Sequence, residues 1–214
     1  MTPAKPPTDG STSVSEAGTT DTFTIVLNAQ PASDVVLTVT SSDTGEATVN
    51  SPLTFTAGNW NTPQTVTVTG VNDNLVDGTI TSAITVAVKD DSSDNNFDPV
   101  ANQTVSATTT DNDVAGFTIV QSGGSTSVAE TGTTDTFTIV LNAQPTSDVV
   151  ISITSSDTGE ATVTGTLTFT PVNWNSAQTV TATGVDDNII DGTITSTITI
   201  AVIDAISDNS FDPV

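Results

Sequence analysis

The chain has 214 residues and carries 25 acidic against 2 basic side chains, a net charge of −23, with neither cysteine nor histidine. So few cations cannot neutralise nucleic-acid phosphates, and an anionic membrane repels such a chain as well. Without Cys or His there is no thiol nucleophile, no Ser-His pair, no haem ligand and no zinc site of the Cys/His kind.

Residues 1–10 are a Pro-rich N-terminal segment, with Pro3, Pro6 and Pro7 excluding an interior strand. They hold no apolar signal core, and no run of about 18 apolar residues follows, so membrane insertion is not expected and any secretion signal is not in this chain. From residue 11 onward the apolar residues alternate. After 11–14, Phe23, Ile25 and Leu27 share one face of 22–27, and Val35, Leu37 and Val39 one face of 35–41. Leu53 and Phe55 alternate with threonines; Val66 and Val68, then Ile84, Val86 and Val88, then Val105 and Ala107 continue the pattern. Helical periodicity is missing, and about a fifth of the chain is threonine, which suits half-buried pleated surfaces. These seven strands are spaced and punctuated as in a Greek-key sandwich.

Residues 11–100 recur without a gap as 125–214, with about three quarters of positions identical. A unit of about 100 residues can bury its own core, so the organisation is two tandem domains, repeat 1 over 11–113 and repeat 2 over 114–214. Repeat 2 is preceded by a strand-like run at 115–120 and lacks a counterpart of 101–113, its last strand. Excision from a longer array would leave the ends this way. The acidic loop 89–98 reads as a solvated hairpin, with Phe97 folding back onto the sandwich; Trp60 and Trp174 read as core lids.

If consecutive strands run antiparallel, alternate loops share one end of the sandwich. Glu16 and Asp21, then Asp43 and Glu46, then Asp73 and Asp77, then Asp111 and Asp113 all fall at the same end. Carboxylates a few ångströms apart repel, and with no Arg or His at hand a hard cation is the natural counter-charge. Calcium, which takes six to eight oxygens in irregular geometry, fits better than magnesium.

The segments Val14-Ser15-Glu16, Ser42-Asp43, Val71-Asn72-Asp73-Asn74-Leu75-Val76-Asp77 and Asp111-Asn112-Asp113 resemble the Calx-β domain family. That family is known from sodium–calcium exchangers and from tandem repeats of large bacterial surface proteins. The resemblance implies an immunoglobulin-like fold, hence an all-β chain of two tandem immunoglobulin-like Greek-key β-sandwiches, binding Ca2+ at one end. It implies the ligands Glu16, Asp43, Asp73, Asp77, Asp111 and Asp113 in repeat 1, and Glu130, Asp157, Asp186, Asp187 and Asp191 in repeat 2. Asn72 and Asn74 interrupt the acid series that the exchangers carry, which implies fewer ions or weaker binding.

The expected function is a non-catalytic calcium-binding structural repeat of an extracellular or cell-surface bacterial protein or adhesin, with calcium stiffening the interdomain linker. Its partners are then calcium and neighbouring repeats. Two alternatives stand beside it: a homo-oligomeric fibre subunit assembled by strand complementation, filling the missing strand of repeat 2, and a calcium-dependent glycan-binding module. Glycoside cleavage by paired carboxylates is not expected, because no aromatic sugar platform lies among the acids.

Overall fold

The computed structural model describes residues 12–190 and 192–212. The Pro-rich segment 1–10 and the candidate ligand Asp191 lie outside the described residues. Period-2 alternation builds each sheet. In β3 (Val35–Ser41) Val35, Leu37 and Val39 are buried while the residues between them are not, and β6 (Gln64–Gly70) buries Val66 and Val68 in the same way.

The first repeat folds as two sheets. One has the order β1 (Thr12–Ser15), β8 (Gln103–Thr110), β7 (Ile80–Val88), β3, β5 (Leu53–Phe55). The other has the order β2 (Thr20–Ile25), β6, β4 (Ala47–Val49). That makes eight strands instead of seven. Ala47-Thr48-Val49 is too short to display a period in the sequence, yet it pairs antiparallel with β6 from Ala47↔Gly70 to Val49↔Val68. Every pairing is antiparallel except that of β1 with β8, which runs parallel from Thr12↔Ala107 to Ser15↔Thr110. Since residues 16–19 reverse the chain between β1 and β2, the ends of β1, β3, β6 and β8 lie at one pole.

Between the sheets lie Phe23, Phe55, Leu37, Ile84 and Val66, all at most 2% exposed. Each such side chain contributes roughly 1.5–3 kcal/mol by leaving water. Trp60 packs half-buried against this core, and Trp174 against the second.

The second repeat contains β12 (Ala161–Val163), β14 (Gln178–Gly184), β10 (Thr134–Leu141) and β9 (Phe117–Gln121) in one sheet. Its other sheet has the order β13 (Thr166–Phe169), β11 (Val149–Ser155), β15 (Ile198–Val202). The run at 115–120 is therefore a strand, β9, paired with β10. Phe137, Ile139, Ile151, Phe169 and Phe211 centre its core. Contacts divide the chain into two compact units, residues 1–73 with 78–112, and residues 74–77 with 113–214.

The acidic loop after β7 is not a solvated hairpin. It makes a short 3-10 turn at Asp90–Ser92, and Asp94 is 5% exposed. Asp94 Oδ2 accepts from Ala32 N at 2.6 Å and Ser33 N at 3.2 Å, and its Oδ1 accepts from Asn96 N at 3.0 Å. The Asn96 N–H foremost, then those of Ala32 and Ser33, hold this carboxyl below the ordinary aspartate range. Phe97, at 7% exposure, closes the same end of the core. Asp208 repeats the device: it accepts from Thr146 Oγ1 at 2.7 Å, Ser147 N at 2.8 Å and Ser210 N at 2.9 Å. Burial pushes the Asp208 carboxyl up, but the hydrogen bonds led by Thr146 Oγ1 outweigh it and bring it down to about 2.

A depressed carboxylate stabilises the fold above its unfolded pKa of ~3.9, and that contribution is lost as pH falls through the folded value. Asp208→Asn is therefore expected to lower the melting temperature of the second repeat near neutral pH. The gap to the unmodified chain should close between about pH 4 and pH 2. Thermal melts across that range check it; a gap independent of pH would remove the charge from the account.

Candidate metal centre

Four segments meet at the pole where β1, β3, β6 and β8 end. Glu16 follows β1 directly, and its backbone N–H donates to Thr110 O at 3.1 Å, continuing the parallel ladder by one residue. This holds the Glu16 side chain inward at 1% exposure. Glu46 precedes β4 and is 6% exposed. It is fixed by Val71 N donating to Glu46 O at 2.9 Å and by Thr109 Oγ1 donating to the same carbonyl at 3.3 Å. Asp73 and Asp77 lie in the β6–β7 connection, and Asp111 and Asp113 follow β8.

One carboxylate oxygen each from Glu16, Glu46 and Asp77 lie within 4.8 Å of one another, and so do oxygens from Glu16, Asp73 and Asp113. Glu16 is common to both groups. Asp77 is followed by Gly78, and Asp113 is preceded by Asn112, both residues of the first unit.

A hydrogen-bond lattice aligns the segments. Gly78 N donates to Asp111 Oδ2 at 2.8 Å, fastening the β6–β7 connection to the chain leaving β8. Asn112 N donates to Glu16 Oε2 at 3.3 Å, and Asn112 Nδ2 donates to Asn72 Oδ1 at 2.9 Å. Backbone proximity matters equally. A Cβ on Gly70 would stand 2.1 Å from Ser15 O, so only glycine lets the end of β6 come this close to the end of β1.

The other acids of the pole have different tasks. Asp43 is exposed, and its Oδ1 accepts from Gly45 N at 2.9 Å, capping the turn after β3. Among the described residues the metal-capable groups include Glu46 and not Asp43. Asp21 ties β2 to β1, its Oδ2 accepting from Ser13 N at 2.9 Å and its Oδ1 from Thr22 N at 2.7 Å. Asp111 acts on Gly78 as described.

The second repeat assembles no such group among its described residues. Glu130 is half-buried, Asp157 Oδ1 accepts from Gly159 N at 3.0 Å, Asp186 is exposed, and Asp187 Oδ1 accepts from Ile189 N at 2.7 Å. Asp191, the counterpart of Asp77, lies outside the described residues. In the first repeat β8 seats β1 and thereby Glu16; in the second no described strand stands in that place.

The donor set in the first repeat fits a hard cation. Every potential ligand is an oxygen, and two oxygens ~2.4 Å from one ion are at most ~4.8 Å apart. At an effective dielectric near 20, each pair of carboxylates at that distance repels by about 3 kcal/mol, so a divalent ion has much to offset. Among the described residues the one basic side chain is Lys89, which pairs with Asp91 at 3.7 Å in the loop after β7, away from these acids.

No family model matches the chain, and no curated protein matches it. Solved structures similar to it include the calcium binding domain CBD12 of CALX1.1, at 13% identity over 84% of this chain and 74% of that one, TM-score 0.36. The E. coli chaperone DraB aligns at 9% identity over 90% and 88%, TM-score 0.35. SSP-19, an MSP-domain protein like family member in Caenorhabditis elegans, aligns at 16% identity over 47% and 94%, TM-score 0.34. At these scores the likenesses carry no inference about function. No helix among the described residues is long and apolar enough to cross a membrane.

Gly70→Ala is expected to force the β1 and β6 ends apart and to cost about 1–3 kcal/mol, as overpacking does. Denaturant unfolding of the first repeat measures it. A variant as stable as the unmodified chain would show that the close approach is not required.

Proposed function

We propose that the chain is a non-catalytic calcium-binding structural repeat of an extracellular surface protein, in which the ion fixes the segment leaving β8. The observation that carries this reading is the position of Glu16, 1% exposed and shared by both carboxylate groups. Glu16, Glu46 and Asp77, with Asp73 and Asp113, would hold the ion. When bound, it supplies positive charge among carboxylates that otherwise repel. The chain's own part is to present Glu16 and Glu46 from backbone that is already hydrogen-bonded, while the ion would brace the loops that carry Asp73, Asp77 and Asp113.

Asp113 opens the connection toward β9, and Asp73 and Asp77 lie in the β6–β7 connection. An ion joining them to Glu16 converts two loops into braced backbone, which is the proposed stiffening of the linker. Extracellular calcium modules bind at roughly 10⁻⁴–10⁻³ M, an affinity suited to a site kept filled outside the cell. The interrupted series Val71-Asn72-Asp73-Asn74 offers fewer charges than an unbroken one and points to that weaker range.

Calcium at a hundred times its Kd adds about 2.7 kcal/mol to stability, which raises the melting temperature of a domain this size by on the order of 10 °C. Scanning calorimetry with calcium and with chelator is expected to show that shift in the first repeat, and Glu16→Gln to abolish most of it. Superimposable curves with and without calcium would end the proposal.

A further inference from the structure

The connection between β7 and β8 carries four aspartates, and the fold gives them different surroundings. Asp90 and Asp91 are exposed. Asp94 is buried and committed to the N–H donors of Ala32, Ser33 and Asn96. Asp98 is held in neither way. Its Oδ1 is shut off from solvent, with no hydrogen-bond partner among the described residues. Oδ1 of Asp212, its counterpart in the second repeat, stands in the same condition. A buried carboxylate oxygen without a donor is costly, and here the cost recurs at matching positions.

The peptide bond that follows Asp98 is distinctive too. Its nitrogen belongs to Pro99, which has no N–H and is exposed. Val100 N donates to Phe97 O at 3.0 Å, closing a turn with the Asp98–Pro99 bond at its centre. Phe97 anchors this turn in the core and Val100 packs half-buried against it. Proline confines the residue before it to extended backbone, so both sides of the bond are held. An aspartate oxygen reaches its own carbonyl carbon by closing a small ring, and a proline nitrogen leaves more readily than other peptide nitrogens. In the second repeat burial foremost, then the charge of Asp204, holds the Asp212 carboxyl above the ordinary aspartate range. A carboxyl that keeps its proton can hand it to a leaving nitrogen.

We propose that Asp98–Pro99 is a self-cleaving peptide bond, with the Asp98 carboxyl as its nucleophile. The carboxyl oxygen bonds to the Asp98 carbonyl carbon while the carbon–nitrogen bond to Pro99 breaks, and the carboxyl proton passes to the proline nitrogen. One water then opens the cyclic anhydride left on residue 98. The net reaction is hydrolysis, and nothing is oxidised or reduced. Cleavage parts β1 to β7 from β8 and everything after it, and Pro99 becomes a new N-terminus. Ladders to β1 and β7 still hold β8, so the two pieces stay assembled. A covalent joint becomes one carried by main-chain hydrogen bonds and burial alone.

The test incubates the whole chain in mildly acidic buffer with chelator, so that metal binding plays no part. Denaturing electrophoresis, intact mass and N-terminal sequencing follow it. Two fragments are expected, one ending at Asp98 and one beginning Pro99-Val100, and they should co-elute on a sizing column until denaturant separates them. Asp98→Ala removes the nucleophile, and Pro99→Ala keeps the carboxyl but changes the leaving nitrogen; each should slow the cut at least tenfold. The unmodified chain held unfolded in urea in the same buffer should also be cut at least tenfold more slowly. Any of four outcomes overturns the proposal: an uncut chain, scission only at bonds other than Asp98–Pro99, a variant cut as fast as the unmodified chain, or equal rates in the folded and unfolded chain.

Discussion

Backbone N–H and C=O groups along a sheet must find partners, and in the first repeat β8 provides them on both of its sides. Through that double ladder it seats β1, and the ladder's next hydrogen bond, Glu16 N to Thr110 O, delivers a carboxylate into the pole. Burial of Val14 and the start of β7, the placement of Glu16 and the fastening of the β6–β7 connection by Asp111 all descend from this one strand. The second repeat shows the converse with nearly the same side chains. Residues 126–129 form no strand there, though Ala129 keeps the close approach to Gly184 that Ser15 makes to Gly70.

A second device works at the opposite pole, where carboxylates serve structure. Asp94 and Asp208 collect backbone and side-chain donors from a loop sixty residues away in sequence, and each sits beside a phenylalanine that closes the core. The repeats vary the donors while keeping the function: Ala32 becomes Thr146, which adds a hydroxyl donor, and Asn96 becomes Ser210. The same residue type is thus a buried acceptor at one end and a candidate ligand at the other. The difference lies in whether N–H groups or other carboxylates surround it.

The all-β class, the two repeats and the gathering of acids at one pole were all legible in the sequence, because alternation and strand parity are properties of residue order. Which acids turn inward was less so. The three-residue β4 is invisible as a period, and it is β4 that starts immediately after Glu46 and holds it buried, while Asp43 folds onto its own turn at Gly45. Asp21 looks like a pole acid by position, yet it accepts from the N–H groups of Ser13 and Thr22, and strand alternation does not display that side-chain-to-backbone tie. Asp94 reads as solvated because the sequence around it is polar; its donors come from a distant loop and only the fold brings them there.

The near-contact of Gly70 with Ser15 has a wider consequence. Packed sheets ordinarily stand about 10 Å apart, held off by the side chains between them. Here strands of opposite layers converge until backbone meets backbone, so the sandwich narrows to a seam at the end that bears the acids. Spacing at that seam is fixed by peptide geometry and not by the bulk of any apolar filler. The second repeat keeps the same seam, with Gly184 against Ala129, so this narrowing belongs to the sandwich itself and survives interior swaps such as Leu37 to Ile151.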